Sequence, residues 1–366
     1  MKLAIIGAAE GQLPLCKKAK QLGVYTICFA WEEGAVCKDY VDKFYPISIL
    51  EKEKIAEICK QEGIQGVVSN ASEITAEIVS YIATELNLHG NDYEMLCKIK
   101  NKYYVREKTK DINDLSKVLS CRYMANLNVK YPCIVKPQVG SAKKGVVFVK
   151  DDEHLEEAVQ YAKEGGADII IEDYIDGREV SVESISYEGR HFVLQITDKE
   201  NSGAPHFVEL SHHQPSDISS IAKKKIERVI PQILDCIGFK NGASHIEMRI
   251  DSDDNIYLIE VNPRGGGDEI SRILVELSTG YDYIKGMIEV ALGVFKEPIL
   301  SHEKYAGIYF LCQQRAERLL YFERDEKPAW LIEKKYDVSE GLFEATGNYN
   351  RNGYLIYQSD KKIELN

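Results

Sequence analysis

The stretch Gly242–Gly267, GASHIEMRIDSDDNIYLIEVNPRGGG, constrains this chain more than any other. Two runs, ASHIEMRI and IYLIEVN, flank the turn formers DSDDN, and this predicts a β-hairpin. With the turn centred between Asp253 and Asp254, Glu247 faces Glu260, Arg249 faces Leu258 and His245 faces Asn262. Period-two alternation gathers His245, Glu247, Arg249, Glu260 and Asn262 on one face. Ile246, Met248, Ile250, Tyr257, Ile259 and Val261 then point the other way, into a core. Opposed side chains lie about 5 Å apart at Cβ, and like charges there repel. A hard, oxygen-bound divalent cation is the natural counter-charge, Mg²⁺ when phosphate is near. On a solvated hairpin the same glutamates would be plain surface residues neutralised by Arg249. The continuation Asn262-Pro263-Arg264-Gly265-Gly266-Gly267-Asp268 tips the balance towards a site. It adds an amide ligand, a guanidinium for an anion, and glycines that allow close backbone approach.

Such a hairpin needs a large scaffold. At 366 residues the chain suits two or three domains. A net charge of −12 disfavours a nucleic-acid or anionic-membrane partner, and no apolar run is long enough to span a bilayer. The N-terminus MKLAIIGAAEG reads as a first strand and turn, not a signal peptide. Nine scattered cysteines without a C-x-x-C read as reduced thiols of a cytoplasmic protein, and no Cys/His spacing supports zinc.

Taken in order, Lys2–Ile6, Tyr25–Phe29, Phe44–Pro46 and Gly66–Ser69 read as strands. Leu13–Leu22, Ile55–Glu62 and Ile74–Leu86 between them read as helices. That rhythm predicts a parallel sheet. Gly7-x-x-x-Gly11 lacks the middle glycine of a dinucleotide fingerprint, although Glu32-Glu33 follows the second strand. A nicotinamide-dependent oxidoreductase is therefore an alternative of another class, below a plain Rossmann-like scaffold. Residues 90–130 read as polar and helical. Lys136 ends the apolar strand YPCIVKP, where a lysine needs a partner such as a phosphate oxygen. The loop GSAKKG, with Ser141, can bend over a triphosphate. Ile169–Glu183 reads as strand, turn, strand, and Asn201–Asp217 as a long loop carrying His206, Phe207, Glu209, His212 and His213. Ile218–Ile237 is a long helix. Residues 297–366 are Tyr-rich, with short strands expected at Gly307–Cys312, Arg318–Phe322 and Gly353–Tyr357.

Glu247 followed by Glu260-x-Asn262-x-Arg264 resembles the metal-binding core of the ATP-grasp family, and the position of the loop Asn201–Asp217 resembles the substrate loop of its carboxylate–amine (amino-acid) ligase-like branch. Asn101-Lys102, Lys136, the glycine loop and Glu172…Glu179 fall in the family's order. The resemblance implies an α/β fold in three parts. They are a Rossmann-like preATP-grasp domain at 1–92, an ATP-grasp domain at 93–296 with a mobile lid of about 115–182, and a small β-rich module at 297–366. It implies that Lys102, Lys136 and Ser141 meet phosphates, that backbone groups around Glu172, Asp173, Tyr174 and Ile175 read adenine, and that Glu179 holds ribose. Glu247, Glu260 and Asn262 would hold Mg²⁺, with Mn²⁺ as a substitute. Arg264 would steady the transferring group or a substrate carboxylate, seconded by Arg249 and Arg272. Glu209 and His245 would face substrate, Glu209 meeting an ammonium. The implied activity is ADP-forming ligation of small-molecule carboxylates and amines through an acylphosphate. A purine-biosynthetic or carbamoyl-phosphate-like ligase is the alternative among enzymes, and a non-catalytic nucleotide-binding protein is another class. A homodimer is compatible with the sequence, which does not name the oligomeric state. GSAKKG is poorer in glycine than many family loops, and Asp173 stands where many members carry lysine.

Overall fold

The computed structural model describes residues 1–124, 127–140, 144–203 and 207–365. Four strands come first: β1 (Lys2–Ile6), β2 (Tyr25–Ala30), β3 (Lys43–Pro46) and β4 (Gly66–Val68). They form a parallel sheet in the order β3-β2-β1-β4. Its connections are α1 (Leu13–Gln21) and α2 (Lys52–Glu62), and α3 (Glu73–Leu86) follows β4. Ser72 caps α3 by accepting from the Thr75 N–H. Strands β1, β2 and β4 are buried on both faces, as a parallel sheet between helices requires, while the edge strand β3 is half-exposed.

The short helices α4 (Tyr93–Ile99) and α5 (Lys102–Thr109) follow, and α5 is capped by the Asn101 side chain. Next come β5 (Leu115–Ser116), β6 (Ser120–Arg122), β7 (Cys133–Pro137), β8 (Val147–Val149), α6 (Leu155–Gly165) and β9 (Ile169–Asp173). Strands β6, β9, β7 and β8 make a small antiparallel sheet against α6, with its own core of Val135, Val149, Val159 and Ile171.

The largest sheet is built from β10 (Arg178–Tyr187), β11 (Arg190–Asn201), β12 (Glu209–Gln214), β13 (Gly242–Ile250) and β14 (Ile256–Asn262). Further along the chain, β15 (Tyr305–Leu311), β16 (Leu331–Tyr336) and β17 (Gly353–Ser359) join it. Among the described residues it has nine strands, ordered β16-β17-β15-β12-β11-β10-β13-β14-β5. Helix α7 (Ser220–Ile237) packs its apolar face, Ile226, Val229, Ile230 and Ile233, on the core beneath β13 and β14.

Three expectations are corrected here. Glu209–Gln214, expected within a long loop, is a fully buried strand, because it pairs with both β11 and β15. Arg318–Phe322, expected as a strand, is helical, its Arg318 buried against Leu210 O and Glu200. In the hairpin, Arg249 faces Tyr257 rather than Leu258, and Leu258 faces Met248. The register slips at a bulge after Glu247, which leaves Ile259 as the extra residue opposite. The slip turns Ile256 and Leu258 into the core and keeps Tyr257 and Ile259 out of it.

Candidate active site

The bulge matters because it preserves the pairing on its far side. Glu247 lies opposite Glu260, and His245 opposite Asn262. Two rows of side chains then cross the sheet. One runs Glu260, Glu247, Ser181, Thr197, and the next runs Arg249, Glu179, Lys199, His212. Register therefore brings residues from β10 to β14 to one face.

Each hairpin carboxylate is held by a lysine. Lys102 Nζ lies 2.8 Å from Glu260 Oε1 and also donates to Gly140 O at 2.9 Å. Lys199 Nζ lies 2.8 Å from Glu247 Oε1, 3.1 Å from Glu179 and 3.2 Å from Glu209. His245 bonds Glu183 through Nδ1 and approaches Glu247 Oε1 at 3.4 Å through Nε2. Burial pushes the His245 imidazole down, but Glu183 and then Glu247 outweigh it and hold it up to about 9. Glu183 also accepts from the Gly266 N–H at 3.0 Å. A Cβ at Gly266 would stand 2.8 Å from His245 Nδ1, so this turn of the glycine run must lack a side chain.

The wall opposite Glu260 is a buried triad. Glu172 accepts from Arg106 Nε at 2.9 Å and pairs with Lys136 Nζ at 2.5 Å, and Arg106 Nη2 also reaches Ile259 O at 2.8 Å. Burial pushes the Glu172 carboxyl up, but Arg106 and then Lys136 outweigh it and hold it down to about 2. The triad carries one surplus positive charge, and Arg106 Nη1 has no hydrogen-bond partner among the described residues.

Two cavities meet at Glu247 and Glu260. The first, of ≈ 150 Å³, lies between the small sheet and β14, with Val118, Ile134, Val146, Tyr174 and Ile259 as apolar walls. Lys102, Lys136, Glu179 and Arg249 line it as well. Arg249 donates to Ile175 O at 2.8 Å, while the N–H groups of Asp173 and Tyr174 donate to the Leu119 and Pro132 carbonyls. The second cavity, of ≈ 1120 Å³, has Glu209, His212, His245, Arg264 and Asp268 on its floor. The C-terminal residues Asn348 and Tyr349 stand at its edge. Asp268 is clamped by Arg351 at 2.5 Å and by Asn348 at 3.2 Å.

Of the residues expected at a site, Lys102, Lys136, Glu172, Asp173, Tyr174, Ile175, Glu179, Glu247, Arg249 and Glu260 share the first cavity. Glu209, His245 and Arg264 line the second, with Glu247 and Glu260 at the junction. Asn262 is buried next to Arg264, its Oδ1 accepting from Nη2 at 3.4 Å. Arg272 lines neither; it pairs with Glu269 and with Glu333 at 2.9 Å. Ser141 and His206 lie outside the described residues. The sequence reading missed Arg106, Lys199, Glu183 and Glu73, the last lying 3.9 Å from Arg264. Arg106 had a signal, since it is one helical turn beyond Lys102. Lys199 had none before the strands were paired.

Glu247 and Glu260 are hard oxygen donors, and the Asn262 amide is held by a single long bond, its Nδ2 unpartnered among the described residues. That donor set fits a hard divalent cation. Among the described residues, no group of three or more His, Cys, Asp or Glu is arranged to hold a metal. All nine cysteines are free thiols. No described helix is long and apolar enough to cross a membrane.

The ATP-grasp domain family matches residues 129–272. A formate-dependent phosphoribosylglycinamide formyltransferase from Hydrogenovibrio crunogenus is 24% identical over 285 residues, covering 72% of this chain and 69% of that protein. The crystal structure of L-amino acid ligase from Bacillus licheniformis superposes with a TM-score of 0.78 at 24% identity, covering 98% of this chain and 93% of that one. The biotin carboxylase domain of Hydrogenobacter thermophilus 2-oxoglutarate carboxylase, solved with MgADP and bicarbonate, gives a TM-score of 0.75 at 18% identity, covering 98% and 86%.

Proposed function

We propose that this chain, whose residues 129–272 match the ATP-grasp domain family, is an ADP-forming ligase that joins a small carboxylate to an amine. One observation carries the reading: two opposed carboxylates, each already holding a lysine ammonium, stand where a slot with apolar walls opens into a larger basin with charged residues on its floor. The slot suits a purine, with Glu179 towards the ribose. Lys102 and the one surplus positive charge of the Arg106–Lys136–Glu172 triad neutralise phosphate oxygens, Lys136 being the triad's ammonium. Glu247, Glu260 and Asn262 would hold Mg²⁺, which when bound offsets charge on the triphosphate.

Arg264 holds the substrate carboxylate in the basin by its guanidinium. A carboxylate oxygen attacks the γ-phosphorus, the bond to ADP breaks, and an acylphosphate forms. The amine nitrogen then attacks the acyl carbon, phosphate leaves, and the nitrogen gives up a proton. Glu209 faces the incoming ammonium, which gives up one proton to become the attacking amine. The small sheet around β7–β9, read as a lid over residues of about 115–182, shields the acylphosphate from water. Nine free thiols fit a reducing, cytoplasmic setting. The formyltransferase relative supports a second reading, with formate as the acid and a phosphoribosyl amine as acceptor.

The experiment is product analysis across a panel of carboxylates, formate included, and amines. ADP and phosphate should appear, with one ¹⁸O passing from labelled carboxylate to phosphate. AMP with pyrophosphate would rule out the mechanism, and ADP without label transfer would leave a different phosphoryl acceptor.

A further inference from the structure

Lys199 is a cation that none of these phosphate or carboxylate roles uses. Its side chain is 4% exposed, and its ammonium reaches one oxygen on each of Glu179, Glu209 and Glu247 within 3.2 Å. Those acids come from β10, β12 and β13, so the single ammonium ties three strands together around β11. The three have separate assignments: ribose, substrate ammonium and metal. Without a shared cation they would repel one another across buried space. The oxygen Lys199 binds most closely, Glu247 Oε1, is a donor that a divalent cation needs. Lys102 stands on Glu260 in the same way, but it comes from a helix, also bonds Gly140 O, and has a phosphate to move to. Lys199 is held from three sides.

We infer that Lys199 is a positioning residue that fills the cation place of the nucleotide-free site. This rests on the ATP-grasp reading of Glu247. The ammonium keeps Glu179, Glu209 and Glu247 converged, and it denies Glu247 to a free metal ion. The divalent cation then enters with the triphosphate, whose charge compensates the exchange. Removing the ammonium leaves Glu179, Glu209 and Glu247 with one positive charge fewer, which makes their place attractive to a free cation.

Mn²⁺ is the probe, counted as free ion by electron paramagnetic resonance with the full chain, with and without ATP. Without ATP, K199M should bind Mn²⁺ about ten-fold tighter than wild type or more, since a unit charge a few ångströms away is worth at least that. K199R keeps the charge and should match wild type. With ATP, K199M should show a raised KM for nucleotide, which K199R restores in part. A purely structural lysine would lower the melting temperature without tightening metal binding. K199Q carries the same expectation as K199M and guards against K199M failing to fold. Mn²⁺ binding by the neutral variant no tighter than wild type, without ATP, overturns the inference. Failure of wild type to bind Mn²⁺ even with ATP would overturn the nucleotide reading instead, and the metal-only test of Lys199 would stand.

Discussion

Glu172 serves two cations with its side chain only 4% exposed. Replacing it with glutamine keeps the volume but leaves the buried Arg106 guanidinium without its counter-charge, beside a Lys136 ammonium that burial already holds below the usual lysine range. E172Q should therefore lose about 3–5 kcal/mol of stability. Urea unfolding checks this, and a loss under about 1 kcal/mol would mean that solvent screens the triad. His213 makes the contrasting case of a buried neutral group. The Ser211 hydroxyl donates to Glu200 at 2.6 Å, so His213 Nε2–H donates to Ser211 Oγ at 3.0 Å, and Nδ1 accepts from Tyr357 at 2.9 Å. Burial pushes the imidazole down to about 3, with Lys362 adding to the effect. The unfolded chain takes up this proton near pH 6.5, and the folded chain refuses it until about 3. The stabilisation is thus complete above pH 6.5 and is lost as pH falls through that window, by at most about 1.4 kcal/mol per unit. Wild type should weaken between pH 7 and pH 5, above the carboxylate range, and H213Q should weaken less. Equal slopes in urea would remove His213 as the cause.

At the scale of elements, the β13–β14 hairpin decides the site. E260Q should lower metal-dependent turnover on the order of 100-fold or more while leaving the melting temperature nearly unchanged. Glu260 is partly exposed and its main partner, Lys102, has Gly140 O as a second anchor. Turnover titrated against Mg²⁺ is the measurement, and near-normal activity at limiting metal would dissociate the hairpin from the cation. The facing pair was legible in the sequence because alternation and turn residues are local. The bulge was not, since an extra residue leaves no mark until two strands are laid side by side. Tyr257 and Ile259 were consequently assigned to the core, whereas the bulge sends Ile259 to the slot wall. The same limit hid Lys199. Its neighbours along the chain, Asp198 and Glu200, belong to other clusters, and its partners lie on three other strands. The parallel N-terminal sheet was readable because β1, β2 and β4 are short, mainly apolar runs separated by helical segments, with the half-exposed β3 as the weakest signal.

At the scale of the molecule, the C-terminal residues continue the sheet that carries the site. β15 pairs with β12 from Ser211↔Tyr309 to Gln214↔Ala306, and β17 and β16 extend the same sheet beyond it. Ala306, Ile308, Phe310 and Leu311 are buried to within a few per cent, and Arg318 is buried with them. Arg351 clamps Asp268 and also donates to Glu209 O at 3.3 Å, so the C-terminal segment braces two floor residues of the basin. Composition alone suggested a separate β-rich unit, because the Tyr-rich change in character says nothing about which edge the strands will join. A chain ending at residue 300 tests the difference. It would leave β12 as an unpaired edge beside uncovered apolar side chains, the arrangement that aggregates. We expect it to lack a cooperative thermal transition and to elute as soluble aggregate or not at all. Circular dichroism with size-exclusion chromatography reads both. A monomeric, cooperatively melting 1–300 chain that binds nucleotide like the full chain would show that the C-terminal strands are an appended unit. The brace from Arg351 to Asp268 would then be incidental to the basin floor.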